Sequence, residues 1–447
     1  MMHICAMNIK YFICLLCLTS LIVSCKSPEE IYAEAETAYN ANDYKKAIEL
    51  FKEAAEDSVT EAQYRLGECY YNGIGVNKDL NEATKWFLTA AEAGHVKAQN
   101  IIGLCFELGK GVDQDFAQAV KWFTKAAKNG HVISQLHLAE CYANGKGAIQ
   151  DYKIAAEWYA KAAEQNNIEA IVKLAECYLE GKGVNRDYKI ACEWLSKAAE
   201  QNNKGAQLKL GRCYYIGLGV NRDYTKAIYW FKKLADEGDP TAQLYIGECY
   251  FNGNGVEKNE STAVNWFEKS ANNGCNEAKA ILGKCYLERT GVVADTTKAT
   301  PLLLDAANNN DVLAQFYLAN VYLYYTPKKN AKKAVYWLKK AATKGNVDAQ
   351  YNLAICYENG VGTKKDYTQA AKWYNKAVAQ GHTDAKYNLA ICFLEGTGVE
   401  KNFDTAEELL IDAANEGSTD AKNLLDILYQ EEDDGVSEEE TIVEEEI

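Results

Sequence analysis

Five histidines occur in 447 residues and no H-E-x-x-H is present. A zinc site needs three or four convergent ligands, so the chain has little with which to build one. His131 and His137 lie six apart, not the three or four that would put both on one helix face. His95, His131 and His382 recur at one place in the chain and read as structural turn residues. No G-x-x-x-x-G-K-[ST] occurs to cradle a phosphate. No S-x-x-K occurs either, and no nucleophile is clustered with a base. These absences leave no residue to assign as catalytic, no metal and no cofactor. A basic stripe is also missing. The formal charge is −15, and residues Glu431 to Ile447 alone hold ten acidic residues with no Lys or Arg, leaving about −5 for the rest. Phosphate-backbone binding depends on clustered cations and counterion release, so a nucleic-acid partner is excluded.

Near the amino terminus, Lys10 precedes an uncharged run from Tyr11 to Val23 that ends Ile22, Val23, Ser24, Cys25. The run is shorter than the roughly 20 apolar residues a membrane-spanning helix needs, and has the form of an export signal. Its end resembles the lipobox of bacterial lipoproteins. That resemblance implies removal of residues 1–24, lipidation of the Cys25 thiol and acylation of the new amino group. Several acyl chains on one residue anchor stably. An ordinary cleaved signal is the alternative. Lys26 is not the aspartate that retains lipoproteins at the inner membrane of enteric bacteria, so by analogy the outer membrane of the cell envelope is expected.

What is abundant is repetition. Cys69, Cys105, Cys141, Cys177, Cys213, Cys249, Cys285, Cys356 and Cys392 share one repeating place, 36 residues apart until one step is missed. All eight tryptophans keep the same spacing, from Trp86 and Trp122 to Trp337 and Trp373. A fixed period of this length marks a solenoid. In the unit from Thr60 to Gly94, Ala62, Leu66, Gly67, Cys69 and Tyr70 lie on one face of a first helix, A. Gly73 and Gly75 suit a left-handed helix end. A second helix, B, sets Ala83, Trp86, Phe87, Ala90 and Ala91 in a stripe expected to face helix A. Asp79 and its equivalents are Asp or Asn in every unit, as an N-cap requires. The place of Gly67 is always Gly or Ala, so the two helices are expected to cross closely there.

Read together as A-x-x-x-L-G-x-C-Y-x-x-G-x-G-V-x-x-D-x-x-x-A-x-x-W-F-x-x-A-A, these residues resemble the Sel1-like repeat, a relative of the tetratricopeptide repeat. The resemblance implies an all-α, right-handed superhelical solenoid of about eleven antiparallel hairpins. The expected organisation is a lipid anchor and tether at 25–30, a tetratricopeptide-like hairpin at 31–59, ten repeats at 60–417, a capping helix at 418–430 and a disordered acidic tail at 431–447. Two units depart from the pattern. One has Arg289, Thr290, Gly291 for the paired glycines and Pro301 inside helix B; the next drops a residue and turns through Tyr325, Thr326, Pro327, so local stacking is expected to change between Arg289 and Lys329.

The ladder cysteines are expected to stay unpaired. Neighbouring helices pack about 8–10 Å apart, whereas a disulfide needs Cα atoms within about 7 Å. They read as small buried hydrophobes, with Cys192 and Cys275 as isolated extras. The resemblance further implies an adaptor for other proteins, whose helix A residues line a concave groove. The groove residues are Tyr64, Glu68, Tyr71, Asn72, Glu140, Glu176, Tyr215, Glu248, Phe251, Tyr351 and Tyr387. Exposed aromatics among them would anchor an extended peptide. The expected protein is thus a monomeric, non-catalytic scaffold for protein or peptide partners, held at a membrane by lipid. Two alternatives stand beside it. Some secreted relatives have been linked to penicillin binding or hydrolysis, so a cell-wall fragment binder or weak hydrolase is one; a structural spacer is the other.

Overall fold

The structure, a computed structural model, describes residues 26–325 and 330–429. The leader with Cys25, the turn at Thr326 and Pro327, and the acidic tail lie outside these residues. Every regular element described is helical, and nearly all the α-helices are 12 or 13 residues long. The chain forms two compact units divided at Arg222. In the first, hairpins span residues 28–56, 60–92, 96–128, 132–164 and 168–200, followed by the A helix Lys204–Ile216. The second begins with the B helix Tyr224–Ala235 and continues through hairpins 240–272, 276–308, 312–343, 347–378 and 383–415. A last helix occupies residues 419–429, where a capping helix is expected.

Local chemistry fixes the typical hairpin at three points. The A helix ends at a left-handed glycine, Gly73 at φ 75°, whose N–H donates to the Cys69 carbonyl. The chain then closes when the Asp79 N–H donates to the Tyr70 carbonyl at 3.0 Å. The Asp79 carboxylate accepts from the N–H groups of Asn81 and Glu82 at 2.9 and 3.0 Å, starting helix B. Asp or Asn caps every B helix from Asp79 to Asn402 in this way, as the sequence requires. The second glycine of each loop has a different cause. A Cβ on Gly183 would sit 1.9 Å from the Tyr152 carbonyl oxygen, and one on Gly147 2.0 Å from that of Phe116, so the loop rests on the start of the preceding B helix.

Helices A and B cross as the small residue at the Gly67 place demands. A Cβ on Gly67 would meet the Phe87 ring at 2.6 Å, and one on Gly103 or Gly247 the Phe123 or Phe267 ring at 2.5 Å. Where the place is alanine, the B-helix residue 19 or 20 positions later is Tyr159, Leu195, Leu338, Tyr374 or Leu410, never Phe. The residue filling the crossing is therefore the one after tryptophan. Phe87, Phe123, Phe231 and Phe267 are fully buried, whereas Trp86, Trp158, Trp194 and Trp266 are half-buried and Trp122, Trp230, Trp337 and Trp373 are buried less completely than the phenylalanines. This corrects the expectation that the tryptophans face helix A. They pack against the preceding hairpin: Trp86 lies on the cluster that includes Phe51 and Ala55, and Trp122 joins the one around Phe87.

One boundary differs from expectation, and the two unusual units show their own local geometry. The first helix starts at Pro28 rather than Ile31, because Ser27 and Glu30 form a capping box and Pro28 fits the first helical turn, so half of the expected tether is helical. Pro301 lies inside its helix, as expected, and that helix runs from Thr296 to Asn308. The A helix beginning at Val312 loses α geometry at Asn320 and finishes as a π-helical turn, Val321–Tyr325, in the unit without the glycine stop. Arg289, in place of the first glycine, takes φ 63°, a left-handed conformation uncommon outside glycine.

Replacing Gly67 with Leu forces a branched side chain into the Phe87 ring and is expected to destabilise the chain by about 1–3 kcal/mol or more. Thermal melting checks this, and an unchanged midpoint would refute the close crossing.

Candidate functional site

Cavities open along the A-helix face at equivalent places in successive hairpins. The first, about 340 Å³, has Glu68, Tyr71 and Asn72 on one wall, Phe87 as its floor, and Ile101, Leu104, Cys105 and Leu108 opposite. In the hairpins 72 residues on, Glu140 and Asn144 face Lys173, Glu176 and Cys177 over Tyr159, around about 290 Å³. In the second unit Glu248, Phe251 and Asn252 face Ile281, Lys284, Cys285 and Glu288 over Phe267, around about 220 Å³. A further cavity of about 320 Å³ in the first unit has Lys209, Arg212, Cys213 and Ile216 where the first has Ile101, Leu104, Cys105 and Leu108.

Tyr215 lines none of these cavities, and the other predicted groove residues divide into two sets. Glu68, Tyr71, Asn72, Glu140, Glu176, Glu248 and Phe251 line these cavities. Tyr64, Tyr351 and Tyr387 occupy a place two turns earlier on their helices and are held by packing. Tyr64 is buried, its hydroxyl donates to Glu68 Oε1 at 2.9 Å, and its ring stacks on His95 at 4.3 Å. Tyr351, half-buried, stacks on His382 at 4.4 Å in the same manner. Tyr387 packs on the carboxy-terminal cluster around Leu410. The expectation of exposed aromatics is thereby corrected. Tyr71, Tyr215, Phe251, Tyr351 and Tyr387 are all half-buried, because each leans on a neighbouring helix. Tyr71 and Phe251 still present an edge to their cavities.

Charge along this face is mixed and largely paired. Arg65 holds Glu36 with two hydrogen bonds of 2.8 and 2.9 Å and reaches Glu68 at 3.1 Å, so hydrogen bonding holds its pKa above the ordinary arginine value. Glu176 is shared by Lys173 at 3.3 Å and Lys209 at 3.0 Å. The His137 ring lies 3.7 Å from Glu140.

Three features of the site escape a reading of the repeat consensus. The cavity floors come from helix B, and the far walls, ladder cysteines included, from the next hairpin. At the last A-helix place the usual Asn or Glu gives way to Leu108, Ile216 and Tyr324, which are 55%, 58% and 63% exposed. These exceptions are the sequence signal for the site. The third is a polar ladder beneath it: Gln63, Gln99, Gln135, Gln207, Gln243, Gln315 and Gln350 are buried and donate to carbonyls at the end of the preceding B helix, at 2.9–3.2 Å. Lysine lies over the tryptophan rings in turn, with Nζ of Lys125, Lys161, Lys197 and Lys376 about 4 Å from the rings of Trp122, Trp158, Trp194 and Trp373.

The ladder cysteines are free and buried, as expected. Burial pushes the thiols of Cys69, Cys285 and Cys356 up to about 11, and those of Cys141 and Cys249 up to about 12, which suppresses the reactive thiolate. Cys192, expected to be isolated, is not. Its thiol donates to the Leu218 carbonyl at 3.2 Å and hydrogen-bonds Cys213, the ladder residue of the next hairpin, which raises its pKa. Among the described residues no group of three or more His, Cys, Asp or Glu is placed to hold a metal ion, and no helix is long and apolar enough to cross a membrane.

His95, His131 and His382 are N-caps of A helices, where five other units use Asn or Asp. Their Nδ1 atoms accept from the N–H groups of Ala98, Ser134 and Ala385 at 3.0, 3.2 and 3.2 Å. This confirms a structural role.

The chain is thus a helical-hairpin repeat protein with a pocketed A-helix face. The Sel1 repeat matches it eleven times, at residues 41–58, then at ten units between 60 and 418. The chain belongs to the Sel1 repeat family, and the match at 41–58 extends that family into the hairpin expected to be tetratricopeptide-like. It is similar to the crystal structure of a protective antigen present in uropathogenic Escherichia coli strains, described as displaying an SLR fold. The two share 33% identity over 91% of this chain and 88% of that one, with a TM-score of 0.80. It also resembles a Sel1 repeat protein from Oxalobacter formigenes, with 30% identity over 67% of this chain and 87% of that one and a TM-score of 0.57. Comparison with curated protein sequences gave no match. Proteins of this repeat class serve in general as interaction scaffolds, and the repeat is typically non-catalytic.

Burial lowers the pKa of His131, so its neutral form is favoured in the folded chain. A histidine depressed on folding contributes stability that is fully present above its unfolded pKa of about 6.5 and is lost as pH falls through the folded value. Urea unfolding midpoints should therefore drop on acidification, and His131→Asn, a cap that does not titrate, should flatten part of that drop. Identical pH profiles for the two proteins would rule the mechanism out.

Proposed function

We propose that the chain is a scaffold of the bacterial cell envelope, lipid-anchored through Cys25, whose A-helix face binds extended segments of partner proteins. The observation carrying this reading is the recurrence of one cavity design at repeat spacing, with an apolar floor and polar or charged walls. An extended peptide presents side chains at regular intervals, and a row of pockets along a rigid face suits such a ligand. Leu108, Ile216 and Tyr324, exposed where the repeat is usually polar, supply apolar surface for a partner to cover. Buried aromatic floors at Phe87, Tyr159 and Phe267 make the pockets rigid. The rigid frame favours binding because little ordering entropy is lost from the scaffold side.

The envelope location rests on Lys10, the uncharged run and Ile22–Val23–Ser24–Cys25. It accords with the relative that is a protective antigen of a bacterium. No partner is named by these features. The chemistry they select is an extended, partly apolar polypeptide.

Affinity capture of the native protein from its own cells is expected to recover a partner that is lost when Tyr71, Leu108 and Phe251 are changed to Ala. Circular dichroism must show equal helicity in both. Partners retained equally by the variant would remove the A-helix face from recognition. In parallel, Cys25→Ser should shift the protein from the membrane to the soluble fraction, and unchanged membrane retention would overturn the anchor.

A further inference from the structure

The cavity walled by Lys209, Arg212 and Ile216 differs from the others in its charge. Its ionic lining residues, Lys209 and Arg212, are both cationic, whereas each of the other three cavities carries at least one glutamate. Glu176, the nearest counter-charge, is divided between Lys173 and Lys209, and Arg212 is exposed. The remaining lining is largely apolar, from Leu179, Tyr188, Leu218 and the exposed Ile216. A ligand suited to it combines a short apolar element with flanking carboxylates.

The sequence contains such a ligand. Within residues 431–447, which hold ten acidic residues and no base, Ile442 and Val443 are bracketed by Glu438, Glu439 and Glu440 on one side and Glu444, Glu445 and Glu446 on the other. We propose that this segment, supplied by any copy of the chain, occupies the Lys209–Arg212 cavity, with Ile442 and Val443 over the apolar lining and the glutamates facing the two cations. Residues 438–446 span about 30 Å when extended, enough to place carboxylates on both sides of the apolar pair. Complementary charge would steer the segment to this cavity rather than to those with glutamate walls. The inference rests on the A-helix face being a peptide-binding surface, and makes the acidic segment a competitor for partners there.

The test is fluorescence anisotropy with a labelled synthetic peptide of residues 431–447 and a chain ending at Gln430, beyond the last described helix. Saturable binding is expected, weakened about tenfold by Arg212→Glu and by Ile216→Ser, each an exposed change checked for helicity. A peptide with Ile442→Ser and Val443→Ser should bind about tenfold more weakly, added salt should weaken binding, and the full chain should bind the labelled peptide less well than the shortened one. Absence of saturable binding, or binding indifferent to both protein variants or to the peptide change, overturns the proposal. If the peptide fails while native capture of partners stays sensitive to Tyr71, Leu108 and Phe251, only the tail assignment falls and the scaffold reading stands.

Discussion

The close crossing of the two helices in each hairpin is the constraint on which the rest depends. A hairpin of two 13-residue helices cannot enclose a core of its own, so it must press its own helices together and leave its outer faces for its neighbours. The Gly67 place permits the first by admitting the Phe87 ring where a Cβ would stand at 2.6 Å. Once that ring is seated, Trp86 and Cys69 are both turned onto the preceding hairpin. The cavities are the gaps such stacking leaves where A helices diverge above the crossing residue.

Stacking is then reinforced by directional bonds with no role inside a hairpin. The second loop glycine lets the backbone rest on the carbonyls that open the preceding B helix. Buried glutamines reach the carbonyls that end it, satisfying groups a helix terminus would otherwise leave unpaired. In three pairs of hairpins a second amide completes the network: Gln165 donates to Gln135 at 2.9 Å, Asn273 to Gln243 at 2.9 Å and Gln380 to Gln350 at 2.8 Å. At the same place Lys386 instead pairs with Glu416 at 2.7 Å, so a charge pair does the work of the amide near the carboxy end. Fixed bonds of this kind leave the A-helix face free to vary, which is what a recognition surface needs.

Much of the local structure was legible because it depends on neighbours in sequence. Asp79 caps the helix it precedes, Gly73 ends the helix it follows, and the period of the cysteines states the unit. The site was legible only in part. Glu68, Tyr71, Asn72, Glu140, Glu176, Glu248 and Phe251 were identified as facing residues and do line cavities. Tyr64 and Tyr351 were grouped with them, but the histidine cap of the next hairpin, 31 residues away, covers each ring. Cys192 could not be paired with Cys213 from spacing alone, since the contact exists only when two hairpins stack.

The sequence by itself determined the hairpin, its period, its caps and the burial of its cysteines, because these follow from short-range hydrogen bonding and from the alternation of small and large residues along a helix. Tertiary structure alone decided which aromatic fills each crossing, which tyrosines are covered, and where apolar floor and charged wall meet. Those outcomes depend on residues about 20 to 40 positions apart being brought within contact distance, and no helical periodicity encodes that.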